Sequence, residues 1–457
     1  MKRSLVRIRP LWEGLTYFDH QLKGIRKMLQ LERTGTPFPA LGDHDEGSAY
    51  GGFQCVDMGL GKTIQTLATM AHNPKPLTLI LCPLALIDNW TENAAKAGFK
   101  VFVKSDEDGD WMPFDCESHR DAAVYVANYD SVLHRESMLM LAWDRIVLDE
   151  AHVIRNHKGI KSRKICALAE DVAIKWAVTG TPIVNRFKDA STLFSFVGVP
   201  TLGKQTWLSS YYEPLINEMC IHRSMDEIRA VLSSCPPVPI IEHRIVRFKN
   251  EVEASFYRHL QDLQVKLRFA YEKGDSAMVL TLLLRLRQSS VTPQILMPDW
   301  DESSGKMDAL AEMVEEEPSS KFLVFCSFHD EMDILKDFLG EGVELYHGGM
   351  NEKERRLALK RAKEPACRVL LMQINCGGCG LNLQEFDRVV FMSPWWTSAL
   401  MDQAIARAVR MGQKKTVRVV HLMIEEESSM NIDSFTTEKA EMKREFLKVF
   451  FQHRCEL

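Results

Sequence analysis

Two short motifs in the first third of the chain carry residue types suited to chemistry on a polyphosphate. Residues 57–63 read Asp-Met-Gly-Leu-Gly-Lys-Thr, and residues 149–152 read Asp-Glu-Ala-His. Glycines let backbone N–H groups turn toward phosphates, lysine supplies a point charge, and threonine and aspartate are ligands for magnesium. The second acid of the pair suits a base that deprotonates water. Together the motifs predict a site that binds and hydrolyses ATP with Mg²⁺.

The motifs assign a role to each of their residues. Lys62 is predicted to contact the outer phosphates, Thr63 and Asp149 to hold the metal, and Glu150 to activate the attacking water. The rest of the loop is predicted to bind ATP through Asp57, Met58, Gly59, Leu60 and Gly61. A glycine-rich turn or an acidic helix start would explain either motif alone. Both motifs follow apolar runs in the expected order, and this favours the functional interpretation.

Composition limits the class of protein. The chain has 457 residues, 46% hydrophobic and 26% charged, which predicts a globular protein of two or three domains. A formal charge of −5 argues against a wholesale basic binder, although a local basic stripe would suffice for nucleic acid. Eleven cysteines without regular spacing predict a reducing compartment without disulfides, and Cys376 and Cys379 lack the second pair that a zinc site needs. No apolar run is long enough for a membrane span.

Short apolar runs alternate with helical patterns, which predicts an α/β fold with parallel sheets covered by helices. The series occurs twice, with predicted strands at Leu77–Cys82, Val124–Ala127, Ile146–Leu148, Trp176–Val178, Phe322–Phe325, Val343–Tyr346, Val369–Met372, Val389–Met392 and Val417–Leu422. Residues 203–235 and 250–290 are predicted to be helical, the latter with an apolar stripe of Leu280, Leu283, Leu284 and Leu286. Residues 42–52 are predicted to form a surface loop. The predicted domains are residues 1–245, 246–305 and 306–457.

The motifs along the chain resemble those of the Swi/Snf-type DNA translocases of helicase superfamily 2. The resemblance runs from about Leu15 to Ile424 and implies two tandem RecA-like lobes with helical insertions between them. The segments that carry it, in the order of the family, are residues 18–21, 51–66, 81–83 with Trp90, 147–152, 179–182 with Asn185, 346–349 with Arg355 and Arg356, 376–383, 394–396 and 403–413.

The resemblance implies further nucleotide-site residues. Gln21, Gly380 and Gln403 are expected to contact ATP, while Thr179 and Thr181 are expected to couple hydrolysis to movement. Arg407 and Arg410 are expected to act as arginine fingers from the second lobe, and their spacing of three predicts that they share one face of a helix.

The resemblance also implies double-stranded DNA as the track, held mainly through its phosphates. The expected contacts are Gly348, Arg355, Arg356, Gly377, Gly378 and Lys414, with Lys353, Lys360, Arg361 and Lys415 as further basic candidates. Trp395 and Trp396 are expected to pack at the lobe interface, although stacking on bases is the alternative.

Residues 152–156 and 175–180 resemble the branch of helicase-like transcription factor and transcription termination factor two, without the RING finger that many members carry. A compact motor of this kind also resembles global-transactivator type proteins of large DNA viruses. Val56, Asp57 and Val409 depart from the usual pattern, but none of these changes removes a phosphate ligand.

The sequence therefore predicts a nuclear, monomeric motor that hydrolyses ATP, tracks along duplex DNA and displaces proteins such as histones, in transcription or repair. The recruiting partner is not predicted. A strand-separating DNA or RNA helicase and a non-catalytic regulatory scaffold remain as alternatives.

Overall fold

The chain folds into two compact units in a computed structural model that describes residues 7–104, 110–134, 141–180, 187–201, 209–230, 232, 235–271, 276–376, 381–410, 412–425 and 431–452. The first unit comprises the described parts of 1–233 and 445–457, and the second comprises those of 234–444.

A largely parallel sheet forms the centre of the first unit. Its strand order is β1-β2-β8-β7-β3-β6-β4-β5. The strand β1 pairs with residues 47–49 of β2, and β9 pairs with residues 53–56 of the same strand. The strands β2, β8, β7, β3, β6 and β4 run parallel, and the short β1 and β5 are antiparallel to their neighbours. The strands are β1 Thr36–Phe38, β2 Gly47–Val56, β3 Leu77–Cys82, β4 Lys100–Lys104, β5 Trp111–Pro113, β6 Ala123–Asn128, β7 Arg145–Asp149, β8 Ile174–Val178 and β9 Cys220–Arg223.

Helices cover this sheet, so its central strands are buried on both faces, as parallel sheets require. Every residue of β7 and β8 is buried. The helices are α1 Asp19–Thr34, α2 Lys62–His72, α3 Ile87–Lys96, α4 Ser131–His134, α5 Ile160–Leu168, α6 Phe187–Phe196, α7 Ser209–Met219 and α8 Met225–Arg229.

The second unit contains a wholly parallel six-stranded sheet among its described residues, in the order β10-β15-β14-β11-β13-β12. Alternate residues of its central strands enter two apolar cores, for example Phe325 and Phe391 on one face and Val324 and Val390 on the other. The strands are β10 Ile240–Val246, β11 Phe322–Cys326, β12 Val343–Tyr346, β13 Val369–Gln373, β14 Arg388–Phe391 and β15 Arg418–Ile424.

Six described helices and the first part of a seventh, up to residue 444, belong to this second unit. Tyr257 and Leu286 lie on the two α-helices that follow β10, and they pack with Ile424 and Ile432 in a small apolar cluster. The helices are α9 Glu251–Tyr271, α10 Ser276–Val291, α11 Gly305–Glu316, α12 His329–Leu339, α13 Glu352–Lys363, α14 Ser398–Ile405 and α15 Ile432–Gln452.

The α/β architecture and the nine predicted strands are confirmed, with bounds that shift by at most a few residues at either end. The predicted loop over residues 42–52 is wrong from Gly47 onward, because β2 begins there. A Cβ on Gly51 would lie 2.0 Å from the Lys175 carbonyl oxygen, and one on Gly52 would lie 2.3 Å from that of Met219. Glycine in this strand therefore permits close approach of neighbouring backbone and does not signal a loop.

The predicted helical segment over 203–235 is interrupted by the strand β9, which extends the first sheet. The leucine stripe is also partly wrong, because Leu280 is 66% and Leu284 43% exposed while Leu286 is buried. The strand β10 pairs with β15 and so belongs to the second sheet, whereas the predicted boundary at residue 245 assigns most of it to the first domain. No described helix is long and apolar enough to cross a membrane.

Candidate nucleotide site

The carboxyl ends of three adjacent strands in the first unit bring the two predicted motifs together. The strands β2, β8 and β7 are neighbours in the sheet. β2 leads into the loop 57–61, β8 ends before Thr179, and β7 ends at Asp149. Ligands of parallel α/β sheets bind at this edge.

The loop 57–61 delivers the start of α2 to this edge. Gly61 is the residue before the helix and has φ of 84°, a left-handed conformation that favours glycine. Among the described residues, no side chain caps the first-turn N–H groups of α2. Lys62 lies in that turn, and its Nζ donates to the Val56 carbonyl oxygen at 3.0 Å. The half-buried start of this helix and the ammonium group form an anion-binding arrangement.

Side chains from two helices hold the loop through the Leu60 carbonyl oxygen. Gln21 and Gln65 donate to it at 3.3 and 3.2 Å, and the Nε2 of His20 lies 3.3 Å away. A Cβ on Gly61 would lie 2.4 Å from the Gln21 amide nitrogen. Gln21, a predicted ATP contact, therefore packs directly against the phosphate loop in this structure.

The Asp149 carboxylate is buried and held in a fixed orientation. Trp90 donates its indole N–H to Oδ2 at 2.8 Å, and the backbone N–H of Glu150 donates to Oδ1 at 3.0 Å. The hydroxyl of Tyr129 donates to the Asp149 carbonyl oxygen at 2.6 Å. Burial and the neighbouring Glu150 raise the pKa of Asp149 to about 6, although Lys62 and the two hydrogen bonds act in the opposite direction.

Glu150 has the one positive φ of a residue other than glycine among the described parts of the chain, at 52°. This conformation carries a cost of about 1–3 kcal/mol and is typical of functional sites. The His152 Nδ1 lies 3.4 Å from a Glu150 carboxylate oxygen and 3.4 Å from the Thr179 hydroxyl. One imidazole nitrogen thus lies close to both the acidic motif and the predicted coupling residue.

Gln54, which the sequence analysis did not select, connects these groups to the phosphate loop. Its amide donates to the Lys62 carbonyl oxygen at 3.4 Å, its side-chain oxygen accepts from Thr66 at 2.9 Å, and its backbone carbonyl accepts from Thr179 N–H at 3.1 Å. No sequence signal identified it, because a lone glutamine beside glycines is typical of a loop.

The residues present fit a magnesium–nucleotide complex. Asp149 and Glu150 are adjacent buried carboxylates at the end of β7. Their mutual repulsion contributes to the raised pKa of Asp149, and a bound divalent cation would relieve it. Thr63 lies in the first turn of α2 beside Lys62. Among the described residues, no group of three or more histidine, cysteine or acidic side chains is placed to hold a metal ion.

Asp57, a predicted ATP contact, also anchors the loop. Its carboxylate accepts from the Met225 N–H at 2.8 Å, and its own N–H donates to the Arg223 carbonyl oxygen at 2.9 Å. The loop is therefore fixed to β9 and the start of α8. Met58 and Gly59 lie between this anchor and the start of α2.

The two predicted arginine fingers lie in the second unit, but the expected shared helix face is wrong. α14 ends at Ile405, and both arginines occupy the turns that follow. Arg407 is only 2% exposed. Arg410 is partly buried, and this burial lowers the pKa of its guanidinium. The Gln413 amide lies within 3.4 Å of the carbonyl oxygens of Gln384, Phe386 and Ala408 and stabilises these turns.

Three of the predicted DNA contacts, Gly348, Arg355 and Arg356, lie in the first turns of α13 or just before it. The Gly348 N–H donates to the Gln373 side chain at 3.0 Å, and Arg355 donates to the Gly348 carbonyl oxygen at 2.7 Å. Arg356 and Lys414 are exposed. Exposure and positive charge suit these side chains to phosphates.

Other predicted residues lie in less expected places. Gln403 is buried within α14. Trp395 and Trp396 both contact the guanidinium of Arg287, at 4.7 and 5.6 Å from their ring centroids, so they form part of the second unit's own packing. Thr181, Gly377, Gly378 and Gly380 lie outside the described residues.

Comparison with known families gives two matches. Residues 20–295 match the family model described as "SNF2-related domain", and residues 305–412 match the "Helicase conserved C-terminal domain".

Individual relatives agree with these matches. A "Probable global transactivator" of Orgyia pseudotsugata multicapsid polyhedrosis virus is 29% identical, over 97% of this chain and 93% of its own. An "Uncharacterized ATP-dependent helicase" of Mycoplasma pneumoniae is 27% identical over 87% of this chain, which spans 40% of that relative. The solved "Sulfolobus solfataricus SWI2/SNF2 ATPase core in complex with dsDNA" is 23% identical and aligns over 98% of this chain and 99% of its own, with a TM-score of 0.43.

Proposed function

The chain belongs to the SNF2 family of ATP-dependent helicase-like enzymes, and from this we propose that it hydrolyses ATP to translocate along double-stranded DNA and displace proteins bound there. The observation that carries the proposal is the cluster at the carboxyl ends of β2, β7 and β8. There the ammonium-bearing start of α2 and an oriented, buried carboxylate pair share one sheet edge.

The residues of the first unit divide the work of hydrolysis. Lys62 and the N–H groups at the start of α2 bind the phosphates, and Thr63 and Asp149 would hold Mg²⁺. When bound, the metal neutralises charge on the phosphate oxygens. Glu150 orients and deprotonates the attacking water, and His152 holds the Glu150 carboxylate in position while contacting Thr179.

Arg407 and Arg410 supply the guanidinium groups that stabilise charge on the transferring phosphoryl group. Such a group contributes about a thousandfold or more to turnover. Arg410 is the sharper test of the two, because it is only partly buried. Arg407 is nearly inaccessible, so its removal would also disturb the fold of the second unit.

The basic start of α13, with Arg355 and Arg356, together with Lys414 and the segment 377–378, forms the proposed DNA contact of the second unit. Contacts to phosphates suit a motor that must pass over any sequence. We place this activity in the nucleus, on DNA packaged by histones or covered by other proteins, in transcription or repair.

Measurement of ATP turnover against duplex length tests the proposal. A translocase gains turnover as the duplex lengthens until a plateau, and loses it as salt weakens phosphate contacts. Turnover that is independent of duplex DNA would contradict the proposal. Release of a third strand from a triplex reports translocation, whereas opening of a tailed duplex would instead indicate strand separation.

Glu150→Gln provides the matched control for these assays. It preserves size and removes the base, so turnover should fall by about 10²–10⁴ while nucleotide and DNA binding remain. Triplex displacement that survives in Glu150→Gln would exclude hydrolysis as its source.

A further inference from the structure

The edge strand β10 of the second sheet exposes a row of apolar side chains. Ile240, Ile241 and Ile245 are 52%, 54% and 58% exposed, and Val238 before them is 64% exposed. β10 pairs with β15 on one side, and no described strand pairs with its other side. An exposed apolar edge strand is a template for pairing with another chain.

The hydrogen-bond pattern identifies which residues face that open edge. Ile240 N–H donates to Val417, and the Val246 carbonyl accepts from Glu425, so the even-numbered residues of β10 bond to β15. In a parallel pair, the alternate residues direct their N–H and C=O groups away from the neighbour. Ile241, His243 and Ile245 therefore present their backbone groups to the open side.

Two charged residues lie between them. Glu242 pairs with Arg418 at 2.8 Å and is 38% exposed, while Arg244 pairs with Glu312 at 2.7 Å and is 36% exposed. Both keep enough accessible surface to meet a further charge. The sequence from 240 to 246, Ile-Ile-Glu-His-Arg-Ile-Val, has the same chemical order in both directions apart from the sign of its two charges.

We propose that β10 is a self-association surface, through which a second copy of this chain pairs antiparallel about a two-fold axis at His243. In this register Ile241 meets Ile245 of the partner subunit, Glu242 meets the partner's Arg244, and His243 meets the partner's His243. The two sheets join into one across about six backbone hydrogen bonds.

Charge selects this register over its neighbours. The outward groups must meet outward groups, so the two-fold axis falls on a single residue. An axis at Glu242 would oppose two glutamates, and an axis at Arg244 would oppose two arginines, which is unfavourable. At His243 the opposite charges meet in pairs without hydrogen bonds, where side chains are closest. No proline interrupts residues 240–246, whereas Pro239 has no N–H and ends the ladder.

Cysteine cross-linking of the full chain tests the register. Residues that face each other in a hydrogen-bonded pair have Cα atoms about 5.5 Å apart, within disulfide range. His243→Cys alone should form a covalent dimer under mild oxidation, above the background of the wild-type cysteines. Ile245→Cys alone should not, because its partner position is residue 241. A mixture of Ile241→Cys and Ile245→Cys proteins should cross-link.

Sedimentation analysis over a concentration series tests the association itself. The wild-type chain should approach twice its monomer mass, and Ile245→Lys should remain monomeric. Leu280→Lys is the matched control, since it alters another exposed apolar residue of the same unit and should leave the dimer intact. A monomeric wild type at about 100 μM, the middle of the range in which edge strands associate in vitro, would overturn the proposal. So would cross-linking of Ile245→Cys alone that equals that of His243→Cys.

Discussion

Two buried acids of the first unit differ in what surrounds them. Glu32 accepts hydrogen bonds from Arg145, Trp176 and Asn73, all at 2.7–2.9 Å, and the ion pair with Arg145 is 1% exposed on both sides. Asp149 accepts from a neutral indole and a backbone amide, and its nearest charged neighbour in sequence is another acid.

The difference distinguishes an acid whose charge is paired inside the fold from one whose surroundings fit the proposed metal site. Glu32 pairs with Arg145, so the folded protein compensates its charge without a bound ligand. Asp149 is oriented by neutral donors and carries a pKa raised to about 6 by burial and by Glu150. That environment leaves compensation to a cation from outside, as a metal ligand needs.

Asp149→Asn should have the largest effect on activity. We expect turnover to fall about a thousandfold or more, because the proposed magnesium ligand is lost, while the midpoint of urea unfolding at pH 7 should not decrease. The comparison fails if Asp149→Asn unfolds the protein as readily as a substitution at Glu32.

Glu32→Ala should have the largest effect on stability. The free energy of unfolding should fall by about 3–5 kcal/mol, because Arg145 is left buried without its carboxylate. Replacing both Glu32 and Arg145 by Met is the control and should recover much of the loss. If the double variant is no more stable than Glu32→Ala in chemical denaturation, the buried charge is not the cause.

The pH dependence of stability should reveal the environment of Asp149. The folded pKa of Asp149 lies above its unfolded value, so the folded state binds this proton more tightly and the stability it contributes is lost as pH rises from about 4 to about 6. Asp149→Asn should therefore gain stability relative to wild type by about 3 kcal/mol across this window. A difference that is constant with pH in denaturant titrations would contradict the assigned environment.

Trp90→Phe should have the smallest effect of the four. It removes the indole donor to Asp149 and raises the pKa of that carboxyl further, so the magnesium concentration for half-maximal turnover should rise about tenfold, the worth of about 1.4 kcal/mol. Trp143→Phe is a comparable change outside the Asp149 contact and should leave the magnesium dependence unchanged. Equal responses of the two variants would mean that the hydrogen bond does not orient the ligand.

Patterns of apolar residues predicted the central strands of both sheets, because parallel strands buried on both faces read as continuous apolar runs. β2 was missed for the opposite reason. Its glycines suggest a loop to any local rule, and only contacts with the distant Lys175 and Met219 explain them.

The candidate site shows the same division. Lys62, Asp149 and Glu150 were predicted from short motifs, whose chemistry is local. The sequence does not identify Gln54 as a site residue, since its contacts with Thr66 and Thr179 form only when the fold brings these residues together. The helix expected to carry Arg407 ends two residues earlier, because the following turns are fixed by Gln413 from further along the chain.

The glycine pair of β2 also affects how a mutational survey of this protein would read. Side chains at Gly51 and Gly52 would collide with the carbonyl oxygens of Lys175 in β8 and of Met219 at the end of α7, so substitutions there should remove soluble protein from cells. A screen that scores activity alone would count both positions as catalytic. Measuring abundance alongside activity would assign them to assembly of the sheet that carries the nucleotide loop.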